Sequence, residues 1–368
     1  MEPSQITISL YENAIPDFVE AELDALYGHV YSSLSQFRIY GAIRGTTHTY
    51  VAQQNGRISA VLLFRCEGNK ALVLNEQIDI DAEQAVKFVR YIFDMFPSID
   101  VVRFHAIRTK PRRFPFPLQQ FYRTEDIVLR LPRSADEYLA RLAKSTRRNI
   151  KYYTNRLKRN YPALDFAVSE DSAINTQHVH DIVAMNHARM RNKNKDSEMD
   201  HAETERLLAL ARQSGMVCVM MLGGRVIAGT VCSRVGSHYF MHVIAHDPAY
   251  DDARIGTLCC YQTIADCIAR GAEEFHFLWG RFEYKYMLLG VQRNFDEILA
   301  YRSHAHMALN IRTVLSVAWQ GHMRTLKFWL LDLADRPDEN SVAARLAFRL
   351  LNGLRNLKRS GFRLAAPR

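Results

Sequence analysis

Residues 239–290 read YFMHVIAHDPAYDDARIGTLCCYQTIADCIARGAEEFHFLWGRFEYKYMLLG, and their reading decides the fold. Tyr239 to Ala245 is a β-branched and aromatic run, which predicts a strand. His246-Asp247-Pro248 breaks it, because proline cannot continue a central ladder. From Arg254 to Arg270 the apolar residues Ile255, Leu258, Tyr261, Ile264, Ala265 and Ile268 recur at helical spacing, and Gly271 stands where a helix stops. A second strand is expected over Glu274 to Leu278, running into Gly280 and a short aromatic segment with Tyr284 and Lys285. Strand, helix and strand in this order make a β-α-β unit. The unpaired N–H groups at the start of its helix attract anions, phosphate above all. Gly256 in that turn has two readings from spacing alone: close approach by a nucleotide-type pyrophosphate, or tight packing of helix on strand.

Around this unit the chain of 368 residues is long enough for two domains. It is 48% hydrophobic and 24% charged, the balance of a globular protein. Its net charge of +9 favours anionic partners: CoA, tRNA, phosphosugars or an acidic membrane surface. The six cysteines form no C-x-x-C pair and are expected to be reduced. The N-terminus lacks the basic and apolar regions of a signal peptide, no apolar run reaches membrane-spanning length, and a cytoplasmic location is expected. P-loop, G-x-G-x-x-G and G-x-S-x-G motifs do not occur, which argues against NTPases, Rossmann dehydrogenases and α/β-hydrolases.

In residues 1–133 the pattern predicts a helix over Asp17 to Leu34 and strands over Thr49–Gln53, Ser59–Cys66 and Ala71–Gln77, the first two joined at Asn55-Gly56. A helix over Ala82 to Phe96, a strand over Asp100 to Ile107, a basic Pro-rich loop (108–117) and a strand over Asp126 to Leu131 follow. Ser134 and Glu137 then form a capping box for one helix to Asn160, strongly basic in its later half. Beyond it come a strand (Leu164–Glu170), helices (Asn175–Met190, His201–Gln213) separated by the polar loop 191–200, and a hairpin around Gly223-Gly224. A strand over Glu297 to Arg302 is expected to close this second unit. Residues 306–368 read as two amphipathic basic helices, Met307–Leu333 and Ser341–Leu357, that pack on an edge or lie on an anionic membrane.

The pieces DDARIGTLCCYQTIADCIARGAEEFHFLWG, EYK and LAKSTRRNIKYYTNRLKR resemble the CelD-like acetyltransferases, named for cellulose biosynthesis, of the GNAT superfamily, relatives of the FemAB-like peptidyltransferases. His276 departs from the family's usual Asp, and Arg281 and Phe282 stand where acidic residues are common. The resemblance implies a mixed α/β fold of two tandem GNAT-like units: a degenerate one (1–133), a basic connecting helix (134–162), a catalytic one (163–305), then C-terminal helices (306–368). It implies acyl-CoA, with acetyl-CoA the expected form, as co-substrate, no metal, and an amine acceptor on a small molecule or glycan. The turn Asp252, Ala253, Arg254, Ile255 and Gly256 is expected to seat the phosphates, and N–H groups near Val243 to Ala245 to stabilise the oxyanion. Lys285 and Tyr284 are placed at the donor tunnel. For the base, His242 and His246, four apart and so expected on one strand face beside Asp247, stand open beside Glu283. Two alternatives remain: a FemAB-like aminoacyl-tRNA-dependent transferase, and a non-catalytic scaffold for polysaccharide assembly.

Overall fold

The computed structural model describes residues 6–109, 114–192 and 199–334. The tip of the basic loop, most of the polar loop after Met190 and the helix expected over Ser341–Leu357 lie outside them. Thirteen strands form one mixed sheet in the order β1-β2-β3-β4-β6-β13-β7-β12-β11-β10-β9-β8, with β5 beside β6. The first side holds β1 (Ile6–Tyr11), α1 (Val19–Tyr27), α2 (Leu34–Ile39), β2 (Thr47–Gln54), β3 (Arg57–Glu67), β4 (Lys70–Val73), β5 (Ile78–Asp79), α3 (Ala82–Met95), β6 (Val101–Arg108) and β7 (Leu118–Arg130). Next come α4 (Ala135–Arg141), α5 (Lys144–Asn160), β8 (Leu164–Glu170), α6 (Thr176–Asn192), α7 (His201–Gln213), β9 (Gly215–Leu222), β10 (Arg225–Val235) and β11 (His238–His246). The chain continues through α8 (Ile255–Ala269), β12 (Glu274–His276), α9 (Glu283–Met287), β13 (Val291–Tyr301), α10 (His304–Leu309) and α11 (Ile311–Ala334).

The two sides exchange their last strands. β7 pairs with β12 of the later side, and β13 reaches back to pair with β6. β7 and β13 run antiparallel through the middle, from Val128↔Val291 to Leu118↔Ala300. The expected closing strand is therefore longer than Glu297–Arg302 and joins the two sides instead of completing one. One face carries α3, α4, α5 and α8 on cores built around Phe64, Phe88, Ile127 and Phe275. The other face carries α1, α2, α6, α7 and α11.

Two expected single helices are broken. Gly28 at φ 53° ends α1, and a short 3-10 turn at Val30–Ser32 intervenes before α2. Leu142 and Ala143 take extended angles, so the capping box at Ser134 starts only the short α4, and the basic α5 begins afresh at Lys144. Leu142 is buried in the core with Tyr138 and Ile150. Among the described residues, no helix is long and apolar enough to cross a membrane.

Candidate active site

β11 and β12 are parallel but pair only from His238↔Glu274 to Phe240↔His276. Beyond that point they part. Phe277 donates its N–H to Ile127 of β7, and Leu278 at φ 56° and Gly280 at φ 94° turn the chain away, while β11 continues with β10. The strand expected to reach Leu278 thus ends at His276, and a gap opens between Met241–His246 and the 277–280 segment.

The helix that starts at the gap is open. Arg254, at φ 52°, is the N-cap of α8, and no side chain caps the N–H groups that follow. The matching helix of the first side, α3, is closed: the Asp81 carboxylate accepts from Glu83 N–H at 3.1 Å. The first side's strand pair is closed too. Gln77 N–H donates to Ala106 O of β6 at 2.6 Å, and β5 then pairs with β6 at Ile78↔Ile107, so no gap opens after β4. The helix start is therefore uncapped on the later side and capped by a side chain on the earlier one.

Around α8, Ala253 and Ile255 are buried in the core. Asp252 is held by Arg156 of α5, with Nη2 to Oδ2 at 2.6 Å, so the basic helix lies against the turn that leads into α8. Gly256 is explained by packing: a Cβ there would meet His246 Nδ1 at 2.5 Å. The His246 ring is further fixed by Asp251 Oδ1 at 2.6 Å.

Two expectations for β11 are corrected by its backbone. The register with β10 slips between Val231↔Val243 and Cys232↔Met241, so His242 is the extra residue of a bulge. Alternation reverses there. Tyr239, Met241 and Ile244 pack on the α8 face, whereas Val243 and Ala245 pack on the α6–α7 face. His242 and His246 therefore lie on opposite faces: His242 is bonded to Ser233 Oγ at 2.7 Å, and His246 sits under Gly256. The expected oxyanion donors shift as well. Asp247 N–H donates to Ile227 O at 2.8 Å, and the register is regular from 243 to 246. Counting back in twos, the N–H groups of Ala245 and Val243 also turn to β10, and those of Ile244 and His246 turn to the gap.

Lys285 is buried, and its ammonium donates to the carbonyls of Phe277 (2.8 Å), Leu278 (3.1 Å) and Trp279 (2.6 Å). All three protons are used, so Lys285 holds the departing segment in place instead of presenting a free cation. Burial pushes its pKa down to about 8, against the pull of Asp126, Cys260 and Glu125. Tyr284 packs beside Phe277 and Phe282, with burial holding its phenol well above the usual value. Glu283 is exposed at the start of α9. Burial, aided by His29, lowers the His242 pKa to about 4, so its imidazole is neutral near pH 7.

Sequence reasoning missed a buried ionic chain behind the gap. His29 Nε2, from the first side, lies 3.4 Å from Asp126 Oδ2 of β7, which is 2.6 Å from His276 Nδ1. His276 Nε2 faces Glu274 at 3.4 Å, and Arg293 grips Glu274 with two donors. The acid missing from position 276 is thus supplied by the neighbouring strand. Burial raises the Asp126 carboxyl, but the imidazoles, His276 first, more than cancel this and hold it well below the usual range. Burial lowers His276, and Asp126 with Glu274 overrides it upward. The ligand atoms of His29, Asp126 and His276 lie close enough to hold a metal ion. However, His29 Nδ1 accepts from Tyr31 N–H, which leaves its proton on Nε2 toward Asp126, and burial lowers its pKa, the arrangement of a neutral imidazole donating to a carboxylate.

Residues 144–286 match the acetyltransferase (GNAT) domain family. The matched stretch runs from α5 into α9 and contains both the gap and the open helix end. Among curated proteins no match was found. Among solved structures, FemX is similar at 10% identity with a TM-score of 0.53, covering 78% of this chain and 96% of its own. L-PGS from Bacillus licheniformis is similar at 13% identity and TM-score 0.47, covering 83% and 97%. A tandem GNAT protein from the clavulanic acid biosynthesis pathway is similar at 9% identity and TM-score 0.38, covering 81% and 98%. At such identities the FemX likeness speaks to the fold alone.

Proposed function

We propose that this chain is an acyl-CoA-dependent N-acyltransferase, in the manner of the CelD-like proteins, acting on an amine of a sugar, lipid-linked glycan or small metabolite in polysaccharide biosynthesis. The observation that carries the reading is the uncapped start of α8 beside the parted strands β11 and β12. The bound thioester would supply the activated acyl carbonyl. The N–H groups of Ile255, Gly256 and Thr257 would hold its phosphates, with the basic α5 adding positive potential. Ile244 and His246 N–H, aimed into the gap, would receive the oxygen that gains charge; such donors are worth about 10²–10³ in rate. His242, neutral and oriented by Ser233, would accept the acceptor's proton from the opposite face of β11.

Thr257→Asp tests this reading. A carboxylate in the first turn suits the helix dipole, so melting should hold or rise, while phosphate binding should weaken about tenfold, ~1.4 kcal/mol. Calorimetric titration with acetyl-CoA would read the loss; unchanged affinity would refute the cradle. An aminoacyl-tRNA donor is the second reading, favoured by Arg148, Lys151, Lys158 and Arg159 exposed along α5. It requires tRNA affinity that falls steeply with salt. The location we propose is cytoplasmic and membrane-peripheral, because α11 exposes Leu315, Trp319, Leu326 and Trp329. Flotation with anionic vesicles should carry the chain up, and Trp319→Glu should release it.

A further inference from the structure

The first side of the sheet has no donor site, yet it holds a cavity of about 400 Å³ on the face shared with α2, within the size range of small-molecule sites. Its polar groups do not satisfy one another. Arg65 is paired through Nη2 with Glu67 at 3.2 Å, but its buried Nε and Nη1 have no acceptor. Gln36, only 9% exposed, lines the same cavity, and its buried Oε1 has no donor. A buried arginine N–H and a buried amide oxygen left without partners each cost free energy, and a ligand with an anion and a hydroxyl would relieve both. A carboxylate, Glu76, lines the cavity too, beside Arg103 and His105. Burial raises it to about 7, against Arg123 and Arg103, so it exchanges protons at neutral pH. Burial and the arginines around it, Arg123 first, hold His105 neutral, near 3.

One wall of the cavity abuts the segment that leaves β12. Tyr31 lines it and lies 6.1 Å, ring to ring, from Trp279, whose carbonyl Lys285 holds. Tyr40 on its rim donates to Glu203 of α7 at 2.7 Å, which ties the cavity to the GNAT side. We infer that this cavity receives the acceptor of the acyltransferase, and that the acceptor is a phosphorylated amino sugar: phosphate on Arg65, hydroxyls on Gln36 and Glu76, and the amine turned toward the wall that Tyr31 shares with Trp279. This rests on the acyltransferase reading and names its substrate class. The first side, whose own helix start at α3 is capped by Asp81, serves the second as its acceptor pocket. The two tyrosines give a sugar ring apolar faces to rest on.

The test is calorimetry on the full chain with three probes, glucosamine 6-phosphate, glucosamine and inorganic phosphate, alongside acetyl-CoA. Glucosamine 6-phosphate should bind tighter than either smaller probe. Arg65→Gln should weaken it at least tenfold, toward glucosamine, with acetyl-CoA affinity unchanged. Gln36→Leu, which fills the same space without a polar end, should weaken both sugars and leave inorganic phosphate as it was. The inference is overturned if the phosphosugar binds Arg65→Gln as well as the parent chain, if inorganic phosphate binds as tightly as the phosphosugar, or if no probe binds while acetyl-CoA does. Failure of acetyl-CoA itself to bind overturns the acyltransferase reading instead. Melting curves of both variants identify a loss caused by unfolding.

Discussion

Lys285 shows how much of a side chain's work is invisible from its neighbours in sequence. The resemblance puts a cation at the donor tunnel, but the fold spends that cation on three carbonyls of the segment leaving β12. Lys285→Met keeps the length and apolar stem while orphaning those carbonyls, so it should destabilise the chain by ~2–4 kcal/mol. Urea unfolding reads the change; full stability with lost turnover would instead make Lys285 a catalytic group. The Asp126–His276 pair gives a pH dependence. The depressed Asp126 stabilises the fold above its unfolded pKa of about 3.9, and that support fades as the pH falls. The raised His276 stabilises the fold below its unfolded pKa of about 6.5, and that support fades as the pH rises through its folded value. The pair's contribution should therefore be greatest between about pH 4 and 6.5. Asp126→Asn should lower melting temperature most inside that window; an equal loss at pH 5 and pH 9 would contradict it.

At the scale of elements, β11 and α8 are one device. The bulge at His242 sends one histidine to each face, and the glycine of α8 exists to admit the ring of the other. Gly256→Ala should cost ~1–3 kcal/mol through overpacking, and His246→Ala in the same chain should recover most of it. A double-mutant cycle in melting measures that coupling; additive losses would mean the contact does not exist. The helix and the two strands of this unit were legible from apolar period and from the Pro and Gly that end them. The bulge was not, because residues 239–246 alternate as well in either register and only pairing with β10 decides where the extra residue falls. The uncapped start of α8 was legible as an anion site, yet whether protein groups fill such an end cannot be read locally: the sequence marks α3 and α8 alike as helices after a strand, and Asp81 makes the difference.

At the scale of the whole molecule, the exchange of β7 and β13 couples the two sides. Each lies between strands of the other side, so neither side can bury its centre alone. Heat or urea should unfold the chain in one transition by both fluorescence and circular dichroism, and a chain ending at residue 290 should lose structure on both sides; two separable transitions would show the exchange to be unimportant. By itself the sequence determined the mixed α/β class, the β-α-β unit at 239–290 and the basic helix after Lys144, because periodicity, capping and turn residues act over a few neighbours. Only the tertiary structure decided that the last strands trade places, that Lys285 is consumed by carbonyls, that His29 and His276 share one carboxylate, and that Gln36, Arg65 and Glu76 face one cavity. Those outcomes depend on groups brought together from distant parts of the chain, and no local pattern of residue types records such meetings.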